Sequence, residues 1–249
     1  MTRILLLGGT SEASALARAL AERGDDAIFS YAGRTGTPVA QPLPTRVGGF
    51  GGVAGLVEYL RAETITHVVD ATHPFAAGMS ANAVAACDRA EVALAALERP
   101  EWRAGKGDDW TRVRDIVGAV AALPDSGARV FLAIGKQHVD AFTAKPGNFY
   151  LLRLVDPPET PLPFPDCAIE IARGPFDVAS DEALMEAHGI THIVAKNSGG
   201  TGAEAKLTAA RALALPVVMI DRPSTPARRV LDSVGAVLDW LDHGADRGV

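Results

Sequence analysis

Ile4-Leu5-Leu6-Leu7-Gly8-Gly9-Thr10-Ser11-Glu12 sets the frame for the whole chain. Four consecutive apolar residues fit a short strand buried on both faces, as in a parallel sheet. Two glycines follow directly, and then Ala13, Leu16, Ala17 and Leu20 mark one face of a helix. Strand, glycine turn and helix start together aim backbone N–H groups at an anion. Ser11 is the expected N-cap, and Glu12 falls in the first turn, where the helix dipole favours a carboxylate. A nucleotide phosphate on Gly8-Gly9-Thr10 is one reading; an ordinary tight turn is the other.

The motif is not Gly-x-Gly-x-x-Gly, since Ala13 and Ala15 stand where further glycines would be. No Gly-Lys-Ser/Thr occurs, which disfavours a P-loop kinase or NTPase. Tyr-x-x-x-Lys is absent as well: four residues after Tyr31, Tyr59 and Tyr150 come Thr35, Glu63 and Leu154. No Gly-x-Ser-x-Gly elbow is present, so hydrolase chemistry loses its best warrant.

The chain has 249 residues, 48% of them hydrophobic, enough for one large α/β domain or two smaller ones. No apolar run approaches the ~20 residues of a membrane span, and a soluble, cytoplasmic protein is expected. The net charge of −6 argues against a nucleic-acid partner but leaves room for an anionic small molecule. Cys87 and Cys167, far apart and outside any Cys-x-x-Cys, read as reduced packing residues.

Outward from the first turn, Ala27–Tyr31 reads as a second strand leading into Gly33-Arg34-Thr35-Gly36. An NAD site usually carries an acid about 20 residues past the glycines. None lies between Ser30 and Thr45, and Arg34 stands in the turn. Its guanidinium suits a ribose 2′-phosphate and hence NADPH, a substrate carboxylate, or plain solvent. Arg46-Val47-Gly48-Gly49-Phe50-Gly51-Gly52 permits close backbone approach to a flat ligand with Phe50 stacking on it, or else a packed loop or lid. His67–Asp70 is the next buried strand, ending in Ala71-Thr72-His73-Pro74-Phe75-Ala76. Pro74 suits the first position of a helix capped by His73. Asp70, Thr72 and His73 should then face the same cleft as Gly8-Gly9, because open α/β sheets bind ligands beyond the carboxyl ends of their strands. His73 is a proton donor, a carboxylate ligand or a residue that only fixes the turn.

Glu91–Leu97 gives another strand, and the polar Gly105–Asp109 stretch points to a domain boundary near Trp110–Val113. Residues 1–112 and 113–249 are thus the expected domains. In the second, strands are expected at Arg129–Ile134, Phe149–Leu154, Ala168–Ala172, Thr191–Ala195 and Pro216–Asp221. Lys136, Lys196-Asn197-Ser198-Gly199-Gly200 and Arg222 follow three of them, and a last helix carries Val230, Leu231, Val234 and Leu238. Alternating strands and helices imply a mostly parallel sheet in each half, with repetition of plan but no aligned repeat. His188 and His192 have helical ligand spacing, but Gly189 breaks the face and no metal site is expected. Glycine loops, cations and the lack of a nucleophile describe a reductase whose cofactor supplies the hydride.

Four segments in this order resemble the precorrin-6A reductase family of cobalamin biosynthesis: Gly8–Ala13, Val47–Gly52, Asp70–Ala76 and Lys196–Gly200. Gly33-Arg34-Thr35 and Asp221-Arg222-Pro223 agree, so the similarity runs from residue 4 to about 223. The resemblance implies two Rossmann-like α/β domains with the active site in the cleft between them. It implies NADPH-dependent reduction of one carbon–carbon double bond of a tetrapyrrole, precorrin-6A to precorrin-6B, by the aerobic route. The cobalt-containing counterpart of the anaerobic route, and a non-catalytic nucleotide-binding module, stay open as alternatives. Gly8, Gly9, Thr10, Ser11, Glu12, Arg34, Thr72, Lys196, Asn197, Ser198, Gly199 and Gly200 are then expected at the cofactor. Arg46, Gly49, Phe50, Gly51, Arg99 and Arg222 are expected at the polycarboxylate ring, where charge-assisted bonds would orient it. His73, Lys136 and a bound water are the candidate proton donors. Beyond the small-molecule substrate, the resemblance leaves room for contact with neighbouring enzymes of the pathway.

Overall fold

The computed structural model describes residues 2–33 and 39–245. In chain order, β1 (Arg3–Leu7), α1 (Ser11–Arg23), β2 (Asp26–Tyr31), β3 (Thr45–Val47), α2 (Gly52–Ala62), β4 (His67–Asp70), α3 (Ala77–Ala90) and β5 (Ala93–Leu97) build a first unit. A second contains β6 (Trp110–Val113), α4 (Ile116–Ala122), β7 (Ser126–Ala133), a 3-10 helix (Lys136–Ala144), β8 (Gly147–Leu154), β9 (Cys167–Ile171), α5 (Val178–Ala187), β10 (His192–Lys196), α6 (Ala205–Ala212) and β11 (Val217–Ile220). The chain then returns to the first unit for β12 (Arg229–Leu231) and α7 (Val234–Ala245).

In the first unit the strand order is β3-β2-β1-β4-β5-β12, parallel throughout. The period of two explains why β1 is apolar at every position from Ile4 to Leu7. Ile4 and Leu6 pack toward α1 and α7, with Leu16, Leu20, Val237 and Leu241. Leu5 and Leu7 pack on the other face against Leu56, Val57 and Leu60 of α2 and Ala83, Ala86 and Cys87 of α3. Each of these buried leucines contributes about 1.5–3 kcal/mol relative to an exposed one.

The second unit has the order β9-β8-β7-β10-β11-β6, again all parallel. One face of its sheet packs Phe131, Leu151, Ile193, Ala195, Val217 and Met219 against Met185, Leu207, Ala209 and Ala210 of α5 and α6. A buried Arg153–Asp181 pair ties β8 to α5.

The expected division at residue 112/113 gives way to a different one: the first unit is residues 1–100 with 224–249, and the second is Glu101–Pro223. Strand pairing is the cause. Trp110–Val113 is not a boundary but a strand against β11. Val230 and Leu231, expected in the last helix, form β12 against β5. Each unit therefore takes its sixth strand from the segment that follows the other unit's fifth. α4, capped by Asp115 accepting from the Gly118 amide at 2.8 Å, escaped the sequence reading. The segment after Gly135 is a 3-10 helix, in which Val139 and Phe142 bury themselves at a spacing of three.

One short stretch does repeat. Ile65-Thr66-His67 and Ile190-Thr191-His192 open the fourth strand of each unit with the same bonds. The Thr66 amide donates to the Arg3 carbonyl at 2.9 Å and its hydroxyl accepts from the Arg3 amide at 3.0 Å. Thr191 does the same with Arg129, at 2.8 and 3.0 Å. Each threonine hydroxyl lies 2.9 Å from Nδ1 of the following histidine.

Burial holds the His67 and His192 rings below their ordinary pKa of 6.5. The unfolded chain binds these protons at about 6.5 while the fold resists them, so stability from these groups is intact above that value and lost as the pH falls through it. His67→Asn keeps an acceptor for Thr66 but cannot titrate. Its denaturation midpoint should fall less than the parent's between about pH 7.5 and about pH 5.5. Urea melts at both values check this, and an equal fall would contradict it.

Candidate active site

The order of the first sheet reverses between β1 and β4, and such a switch point opens a crevice beyond the carboxyl ends of the two strands. Gly8 leaves β1 with its amide donating to the Ser30 carbonyl at 2.9 Å. A Cβ there would lie 2.0 Å from Cζ of the fully buried Phe29, so only glycine fits. Gly9 has φ of 128°, which disfavours any side chain. Thr10, not Ser11, is the N-cap: its backbone is extended (φ −121°, ψ 165°), and its hydroxyl accepts from the Ala13 amide at 3.1 Å. The Thr10 hydroxyl donates to the Ala71 carbonyl across the switch point at 2.9 Å. The Ser11 and Glu12 amides, at the first two helical positions, precede any intrahelical carbonyl and are the natural donors to an anion.

Across the crevice, Asp70 does not project into it as expected; it is 3% exposed and turned inward. Its Oδ1 accepts from the Thr72 hydroxyl at 2.6 Å and the Thr72 amide at 3.2 Å, and its Oδ2 from the Ser80 hydroxyl at 2.6 Å. Thr72 lines a shallow groove with Thr10, Glu12, Pro74, Leu97, Glu98 and Arg99. Burial and the nearby Asp70 charge push the Cys87 thiol beneath this network up to about 12.

Pro74 does not start α3, and His73 does not cap it. The His73 carbonyl accepts from the Ala76 amide at 2.7 Å, closing a turn, and the helix begins at Ala77. His73 Nδ1 accepts from the Phe75 amide at 3.2 Å, which puts the proton of the neutral ring on Nε2.

Two arginines beside the groove hold carboxylates: Arg99 bonds Glu12 at 2.7 Å, and Arg228 bonds Glu98 at 3.0 Å. Arg46 braces its own loop. It donates to the Ser30 hydroxyl at 2.8 Å and to the Gly48 and Gly49 carbonyls at 2.9 and 3.2 Å. Its guanidinium lies 3.8 Å over the Phe50 ring, which Tyr59 meets edge-on at 5.1 Å. This supports the packed-loop alternative for Phe50. Gly49 and Gly51 are exposed in the same loop, with Gly51 in the left-handed region at φ 78°. Arg34 lies outside the described residues.

The second unit has its own switch point, between β7 and β10. Lys136 is exposed after Gly135, and Lys196 ends β10. Asn197 is buried, with Oδ1 accepting from the Trp102 amide at 2.9 Å and Nδ2 donating to the Trp102 carbonyl at 3.0 Å. The Trp102 indole donates to the Gly200 carbonyl at 2.8 Å. Arg222 donates to the Asn197 and Ser198 carbonyls at 3.0 and 3.2 Å. Asn197 and Arg222 thus shape the loop through Ser198, Gly199 (φ 67°) and Gly200 (φ 74°). The sequence reading left Trp102 unassigned; its place in an apolar-poor segment after Pro100 was the only signal.

The first unit is of the doubly wound, Rossmann-like type, with a glycine turn and helix N-terminus at the reversal of strand order. The family model for precorrin-6x reductase CbiJ/CobK matches residues 3–242. A precorrin-6A reductase of Rhodobacter capsulatus is 65% identical over 251 residues, covering all of both chains. One from Rhodococcus erythropolis is 48% identical over 97% of this chain and 98% of its own. A cobalt-precorrin-6A reductase of Priestia megaterium is 30% identical over 88% of this chain and 90% of its own. A solved structure, CobK precorrin-6A reductase, superposes with a TM-score of 0.95 at 64% identity, covering 100% of this chain and 98% of that one. The chain belongs to the precorrin-6x reductase family. No helix among the described residues is long and apolar enough to cross a membrane.

Gly8→Ala should force the Phe29 ring to move in a filled core, costing about 1–3 kcal/mol, and should spoil the turn. A lower denaturation midpoint is expected. An unchanged midpoint would remove the steric argument.

Proposed function

We propose that the protein reduces one carbon–carbon double bond of precorrin-6A to give precorrin-6B, with NADPH as hydride donor. Identity of 65% along the full length of a precorrin-6A reductase carries this reading. The reaction balances as one hydride and one proton added across the double bond, with NADP+ released. The site residues suit such a cofactor. The amides of Gly9 to Glu12 would take its pyrophosphate, and Arg34, in a stretch of sequence with no acid between Ser30 and Thr45, would pair with its 2′-phosphate. When bound, the nicotinamide supplies the hydride.

The chain's own groups bind, orient and protonate. Thr72 and the Lys196–Gly200 loop are further cofactor candidates. Arg99, Lys136, Lys196 and Arg222 provide positive charge for ring carboxylates, with Gly49 and Gly51 allowing close approach of backbone. Arg46 enters this scheme through the loop it braces. The proton to the neighbouring carbon comes from His73, whose Nε2 carries a hydrogen, from Lys136 or from a bound water. A cytoplasmic site of action, expected from composition, belongs to the same proposal.

The cobalt-containing substrate is the second reading, favoured by the 30% identity to a cobalt-precorrin-6A reductase. Mixing the protein with NADPH and precorrin-6A should oxidise the nicotinamide and change the chromophore spectrum, faster than with the cobalt complex. Binding without turnover of either would return the protein to the class of nucleotide-binding modules. Arg34→Ala should erase the preference for NADPH over NADH, read as the ratio of kcat/KM values. A preserved ratio would end the 2′-phosphate role.

A further inference from the structure

Each hydroxyl has one proton to give, and around the first crevice those protons are already committed. Thr10 gives its proton to the Ala71 carbonyl and takes one from the Ala13 amide, so its hydroxyl has no proton left to give. Thr72 gives its proton to Asp70 at 2.6 Å. That direction is enforced. Asp70 accepts at Oδ1 and Oδ2 from Thr72 and from the Ser80 hydroxyl of α3 at 2.6 Å, and the carboxylate is 3% exposed. Asp70 acts only as an acceptor in this network, twice at Oδ1 and once at Oδ2. The half-buried Thr72 oxygen, which lines the groove with Thr10 and Glu12, therefore offers lone pairs alone.

We infer that Asp70 is a positioning residue that makes Thr72 an obligate acceptor, so that the group Thr72 meets is a hydrogen-bond donor of the dinucleotide and not a phosphate oxygen. The inference rests on the nicotinamide reading above. Two ligand groups share the required chemistry, a ribose hydroxyl and the carboxamide amino group. Recognition around the crevice is then divided by polarity: main-chain amides read the anionic phosphates, and Thr72 reads an O–H or N–H.

Calorimetric titration of the whole chain with NADP+, with its 3-acetylpyridine analogue (a methyl in place of the amino group) and with inorganic pyrophosphate tests this. Thr72→Val, which keeps shape and loses the hydroxyl, should weaken NADP+ roughly three- to ten-fold, the worth of one neutral hydrogen bond. Thr72→Ser should bind as the parent does. Neither should alter pyrophosphate affinity. If the carboxamide is the donor, the analogue binds parent and Thr72→Val alike; if a ribose hydroxyl is, the analogue weakens by the same factor as NADP+. Asp70→Ala should reproduce the Thr72→Val loss. Asp70→Asn should restore binding, because its Oδ1 can face Thr72 while its amide donates to Ser80. Thr72→Val folds independently of how Asp70→Ala behaves and decides the matter by itself. Unchanged NADP+ affinity in Thr72→Val, or an equal loss for pyrophosphate, overturns the inference while leaving the cofactor reading intact. Failure of the parent to bind NADP+ overturns both.

Discussion

The bond from the Thr10 hydroxyl to the Ala71 carbonyl joins the first glycine turn to the strand across the switch point. Because the same oxygen caps α1 through the Ala13 amide, one side chain fixes three things at once. It sets where the helix starts, how far the turn stands from β4, and which amides face outward. Gly8 pressed on Phe29 and Asp70 holding Thr72 to Ser80 keep the two sides of the crevice in register. Without this framing, a glycine turn would be only a turn.

The polar groups that look most like ligand-binding residues divide into two kinds. Gly9 is exposed at the turn and Thr72 lines the groove. Arg46 and Arg222 spend bonds on the backbone of the glycine loops beside them, and Asn197 spends its own on the backbone of Trp102. A guanidinium donates through five N–H groups in a fixed fork, which suits a carboxylate and equally suits two successive carbonyls. Loops rich in glycine have little stiffness of their own, so they need such braces.

Much of this was legible from residues alone. Ile4–Leu7 announced a doubly buried strand, because apolar residues at every position require cover on both faces. The alternation of strands and helices announced two parallel sheets, and four segments in order, three of them glycine-bearing, announced the family to which the chain belongs. The caps slipped locally: Thr10 and Ser11 are both good N-caps, and only the backbone angles choose between them. Trp110–Val113 and Arg229–Leu231 were lost for a deeper reason. Each is short and partly polar, and each owes its strand character to a partner far along the chain. Asp70 was read as facing the cleft, since a sequence does not say whether a strand-end carboxylate turns outward or back toward a serine ten residues on.

The exchange of sixth strands has a consequence for how this protein is made. β5 leaves the ribosome long before β12, its neighbour in the sheet, separated by about 130 residues, or some seconds to tens of seconds at ordinary translation rates. During that interval one edge of the first sheet stands open, and the side of α1 that α7 will cover is bare. The sheet begun first is thus completed last. The nascent chain carries an unpaired apolar border for the whole synthesis of its second half, which leaves that edge open to pairing with other chains until β12 arrives.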